Sequence, residues 1–136
     1  GPAMGLKAAI ENRRGPLPIE KSDQFQVKSS VHPGRFPVTF EFEKNVQSES
    51  QLLNLTSPWS GTLKRIISLS GEEKALEIEH EHGMVSQITF RGQPQGLTPG
   101  QQLEEGQTLG LLSPESRSFF WSLGRRPDPL PQSVSE

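Results

Sequence analysis

The run KALEIEHEHG, residues 74–83, ends in two histidines one residue apart, His80 and His82. On a β-strand, positions i and i+2 face the same side, so both imidazoles could chelate one metal ion, with Glu79 and Glu81 turned the other way. A zinc enzyme needs three protein ligands and one open position, so two histidines alone do not complete a site. Three readings stand for the pair. The expected one is a solvated hairpin end; the others are a metal-ligand pair and a pH-dependent or partner-binding role. Ser113, Ser116 and Ser118 come without a positioned His and Asp, so Ser-His-Asp hydrolysis is not expected. The run FFW at 119–121 is expected to divide between core and surface, leaving one aromatic on a groove. The acidic stretch GEEKALEIEHE reads as the outer face of a hairpin, and Arg125 and Arg126 as the solvated start of a tail.

The elements that must position these residues are short strands. FPVTFEFEKN (36–45) sets Val38, Phe40 and Phe42 against Thr39, Glu41 and Glu43, the alternation of a half-buried strand. Residues 51–70 read as two strands broken at Pro58 and Gly61. Residues 74–80 place Leu76 and Ile78 against Glu77 and Glu79, and 84–90 follow in a tight hairpin with Gly83 in the turn. Residues 95–112 hold Gly96, Gly100, Gly106 and Gly110 between apolar pieces, and 117–123 form the last strand. Ahead of the strands, 5–13 has helical character, as of the end of an upstream helix, and RGPLPIEKSDQF is extended by its two prolines. No internal repeat is present. Regularly spaced short strands with glycine turns imply an all-β sandwich or barrel.

Composition bounds the function classes. The chain has 136 residues, 31% of them apolar, with 13 Gly and 12 Pro, enough for one domain with a modest core. A net charge of −2 gives no electrostatic case for nucleic acid. No cysteine is present, which excludes disulfides and thiolate metal sites. No apolar run approaches the length of a membrane span. The opening GPAM reads as a protease-cleavage scar, so residues 1–15 are expected to be scar and linker or the end of an upstream helix. Residues 16–131 are expected to form a single β domain and 132–136 a disordered tail.

Two phrases carry a family resemblance. SPWSGTLKRI and LTPGQQLEEGQTLGLL, the latter expected to point Leu103 and Leu109 inward, resemble the barrel-sandwich architecture of lipoyl domains, membrane-fusion adaptors and zinc endopeptidases of the LytM (lysostaphin-type) family. The order Ile78-x-His80-x-x-Gly83, Phe90, the Gly100–Gly110 corner, SFFWSL and a proline-containing tail resembles the LytM family best, over roughly residues 51 to 131. Lipoyl domains carry a lysine at a tight turn that this chain lacks. The resemblance makes His80 the hairpin histidine of the family, not a zinc ligand. It lays HPGRF (32–36) over the family's H-x-G-x-D, keeping His32 but putting Phe36 at the aspartate, with Glu41 as the nearest acid in another register. It puts Gly92 at the general-base histidine, and Ser118 and Phe120 at the closing H-x-H. A phenylalanine cannot bind zinc, so the implied protein is a degenerate LytM domain: no catalytic residues, no metal, no cofactor.

The implied function follows. In amidase activators of the EnvC and NlpD type, which RGPLPIEKSDQF and SFFWSL also resemble, a vacated LytM groove binds a helix of a cell-wall amidase. In other envelope complexes the domain only docks. The expectation is a non-catalytic binding module of the bacterial periplasm or another extracytoplasmic space, with a cell-wall hydrolase or envelope-complex protein as partner and peptidoglycan as a further ligand. The candidate groove comprises His32, Phe36, Glu41, His80, His82, Phe90, Gly92, Ser118 and Phe120. The competing readings are a barrel-sandwich adaptor of a secretion or efflux complex, and an active zinc metallopeptidase with unusual ligands.

Overall fold

The structure, a computed structural model, describes residues 2–30, 37–46 and 52–126. One helix, α1 (Pro2–Glu11), precedes nine strands: β1 (Phe25–Ser30), β2 (Val38–Lys44), β3 (Leu53–Thr56), β4 (Gly61–Ser70), β5 (Glu73–Glu79), β6 (Met84–Pro94), β7 (Gln102–Leu103), β8 (Thr108–Leu112) and β9 (Ser118–Arg125). All ladders are antiparallel, and the fold is all-β. The main path runs β1-β2-β9-β6-β5-β4-β7, while β8 lies between β3 and the far end of β6. β1 and β7 stand at opposite ends of that path, so the sheet does not close into a barrel, the more specific form expected from the resemblance.

The inward side of each strand is set by alternation. Val38, Phe40 and Phe42 of β2, Phe119, Trp121 and Leu123 of β9, Ile88 and Phe90 of β6, and Leu76 and Ile78 of β5 are all buried. Leu53, Leu55, Leu109 and Leu112 of the β3–β8 pair complete the same core. Phe42 stacks on Phe119 at 4.8 Å between ring centroids, and Phe25 meets both edge-on. Aromatic pairs of these kinds add about 0.5–1.5 kcal/mol each beyond their area burial.

The expected hairpin is present, with Leu76 opposite Ile88 and Glu79 opposite Val85. A 3-10 turn at Glu81–Gly83 closes it. The proline-rich entry is extended as its prolines require, and it hydrogen-bonds along β3: Thr56 N–H donates to the Pro18 carbonyl and Glu20 N–H to that of Asn54. Residues 5–13, expected at most as a linker or helix end, carry Ile10 fully into the core. α1 is further tied to β1 by the Ser29 hydroxyl, which donates to the Glu11 carboxylate, and Arg13 donates to the Phe25 carbonyl. No helix among the described residues is long and apolar enough to cross a membrane.

Candidate functional site

The β6–β9 ladder carries a different candidate at each end. At its start, β5 delivers His80 in phase with Leu76 and Ile78, so the ring enters the interior and keeps only 8% exposure. Its Nδ1 lies 2.9 Å from the Ser60 carbonyl, which can only accept, so Nδ1 carries the proton. Nε2 is then an acceptor, and the Ser86 hydroxyl 2.7 Å away donates to it. Trp121 Nε1–H in turn donates to Ser86 Oγ at 2.9 Å. Gly61 makes room for this arrangement: a Cβ there would collide with the Glu79 carbonyl and stand 3.0 Å from His80 Nδ1. Burial pushes the imidazole pKa below its usual value, opposed in part by the bond to Ser60. The Trp59 and His80 rings meet in a T-shaped pair, 5.3 Å between centroids. Trp59, Leu6 and Met84 form the apolar wall of a cleft of about 480 Å³, with His80, Glu81 and Arg125 also lining it.

This geometry corrects the two histidine expectations. His82 does not share a face with His80, because the chain has left the strand: His82 sits in the turn with φ of 60° and is exposed. A solvated hairpin end describes His82 alone. Among the described residues no group of three or more His, Asp or Glu side chains comes together to hold a metal ion.

The Ser86–His80 pair has the spacing of an activated nucleophile and base. Ser86, however, is fully buried, and its oxygen already accepts a bond from Trp121, so no substrate reaches it. Its work is structural. The sequence reading weighs Ser113, Ser116 and Ser118 and not this pair. The available signal was strand phase, since Ser86 shares a face with Ile88 and Phe90 just as His80 does with Leu76 and Ile78.

At the other end lies the outer face of β9. With Phe119, Trp121 and Leu123 turned inward, Ser118, Phe120 and Ser122 turn outward. β9 runs between β2 and β6, so Phe120 stands in mid-sheet, opposite Glu41 on one side and Thr89 on the other. Its exposure of 41% is large for an aromatic in that position. The cross-strand row continues from Thr89 to Ala75 and Ile67, and beyond Glu41 to Lys28. A shallow cleft of about 240 Å³ beside Phe120 is lined by Glu73, Thr89, Arg91, Glu115 and Ser118, among others. Lys28 pairs with Glu43 at 2.7 Å, and their hydrogen bond holds the Glu43 carboxyl below its usual value and raises that of Lys28.

No protein-family model matches the chain, and no characterised protein matches it in sequence.

Of the nine residues proposed from the sequence, the seven that are described do not line one cleft. Phe90, Ser118 and Phe120 line the outer-face cleft, although Phe90 is 2% exposed and belongs to the core. Glu41 is in register with Phe120. His80 and His82 line the cleft at the opposite end of the β6–β9 ladder. His32 and Phe36 lie outside the described residues. Gly92 is no vacated side-chain position: a Cβ there would collide with the Leu111 carbonyl oxygen, because β8 pairs with β6 at that residue. Glycine is what lets the two strands meet.

Proposed function

We propose that this chain is a non-catalytic, peptidase-like binding module of the bacterial cell envelope, a degenerate LytM domain whose outer sheet face docks a segment of a protein partner. The observation that carries the reading is Phe120, a large aromatic exposed in mid-sheet and framed by Glu41, Thr89 and Ser118. An exposed aromatic with a polar surround is the composition of a binding hot spot, where one apolar anchor is desolvated and a polar rim excludes water. The same two outward positions, Ser118 and Phe120, are those where the resemblance expects the two histidines of H-x-H. A site built for zinc hydrolysis would carry imidazoles there; serine and phenylalanine suit contact. The partner class is a cell-wall hydrolase or an envelope-complex component, and the location is extracytoplasmic.

The test is activation of an autoinhibited cell-wall amidase of the same cell by the purified domain, read together with direct binding. Wild type is expected to bind and activate, and Phe120→Glu to lose both while keeping the wild-type circular dichroism spectrum. Equal activation by Phe120→Glu removes the docking face. Stoichiometric zinc that survives dialysis, with peptidase activity lost on chelation, overturns the non-catalytic reading altogether.

A further inference from the structure

We propose that His80 is a pH-sensitive latch: neutral, it fastens Trp59 and the β5–β6 turn to the core, and protonated, it releases them. The inference rests on the direction of each hydrogen bond around the ring. The Ser60 carbonyl requires a proton on Nδ1, and Ser86 then donates to Nε2 while itself accepting from Trp121. Each donor has one acceptor, and the chain runs in a single direction from indole to hydroxyl to imidazole to carbonyl. A proton added at Nε2 meets the Ser86 O–H head-on. The hydroxyl must then turn away and surrender its acceptor inside the core, where an unmatched donor is costly.

The ring's hydrogen-bond chain touches four pieces: the end of β5, the Ser57–Ser60 loop through Ser60, β6 through Ser86, and β9 through Trp121 behind Ser86. Trp59 belongs to that same loop and packs on both His80 and Trp121, at 5.3 and 5.6 Å. His80 also lines the 480 Å³ cleft, so solvent protons reach it without unfolding of the domain. The charged groups around it come from several elements. Glu79, on its own strand, is paired with Lys64 of β4 and with Arg126. Glu81 and His82 of the turn, Glu105 of the β7–β8 turn and Arg125 of β9 line the cleft mouth. α1 contributes Leu6 and β6 contributes Met84, neither of which is charged. Among the described residues no carboxylate is hydrogen-bonded to the ring, so a protonated ring has no direct counter-charge there.

The sequence supplies the reporter. Trp59 and Trp121 are the two tryptophans of the chain, there is no tyrosine, and both tryptophans belong to this network. Intrinsic fluorescence followed from pH 7.5 to 4.5 is expected to show a reversible change in emission with a midpoint below 6.5, the ordinary imidazole value, without loss of the far-ultraviolet circular dichroism signal. An NMR titration of the wild-type imidazole protons is expected to assign that midpoint to His80. His82→Gln is expected to keep the transition, and His80→Gln, whose amide can still donate to Ser60, to lose it. Flat emission in wild type, a midpoint that follows His82, a transition that survives in a folded His80→Gln, or a change that coincides with global unfolding each overturns the latch. The NMR titration needs no variant, so the proposal stays testable if His80→Gln does not fold.

Discussion

The two ends of the β6–β9 ladder invert the usual rule in opposite ways. At the His80 end, polar groups are buried: His80, Ser86 and the Trp121 indole N–H form a closed chain of hydrogen bonds. At the Phe120 end, an aromatic is exposed on the solvent face. The buried polar groups are fully matched inside the domain, so they need no external partner to account for them. Phe120 presents apolar surface that the described residues do not cover, and burial of that surface is what a partner would supply. The same neighbouring strands thus hold a satisfied polar site and the proposed docking site, and satisfaction within the domain tells them apart.

That contrast can be broken or sharpened experimentally. The largest effect is expected from Trp121→Ala, which empties a fully buried position shared by the aromatic core and the hydrogen-bond chain; denaturant unfolding should show a loss of about 3–5 kcal/mol. Ser86→Ala, nearly isosteric, should cost about 1–3 kcal/mol by leaving His80 Nε2 and the Trp121 N–H without partners, again by denaturant unfolding. A smaller cost would place less of the stability in the network than its geometry implies. Acidification comes next. The folded pKa of His80 lies below its unfolded value, so between the two the unfolded state binds more protons and stability rises with pH. The denaturation midpoint of wild type should therefore fall as pH drops below about 6.5 and level off beneath the folded pKa, and this component should vanish in His80→Gln. The smallest effect on stability belongs to Phe120→Ser, expected within about 0.5–1 kcal/mol of wild type because the side chain is already partly in water. If Phe120→Ser instead destabilises as much as Ser86→Ala, Phe120 is a packing residue and the docking face loses its anchor.

Much of the fold was legible because its signals are local. The alternation in 38–43 and 74–79 identified β2 and β5 with their buried faces, Gly83 marked the hairpin, and the break at Pro58–Gly61 separated β3 from β4. The site was less legible. A histidine beside glutamates reads as surface, yet the phase of His80 with Ile78 points inward, and the ring is buried. The family alignment makes Gly92 an emptied position, because nothing in FRGQP says that a second strand pairs there.

The sequence by itself determined the strand periods, the hairpin and the candidate core, since a period of two is a property of the backbone and of the residues along one strand. Only the tertiary structure decided which polar residues are enclosed and which aromatic is left out. Ser60 and Ser86 meet His80, and Trp121 meets Ser86, because β4, β5, β6 and β9 are neighbours in the sheet order, and Phe120 is exposed because nothing described covers the outer face of β9. Enclosure depends on what packs across a strand, and strands that pack together can be far apart along the chain.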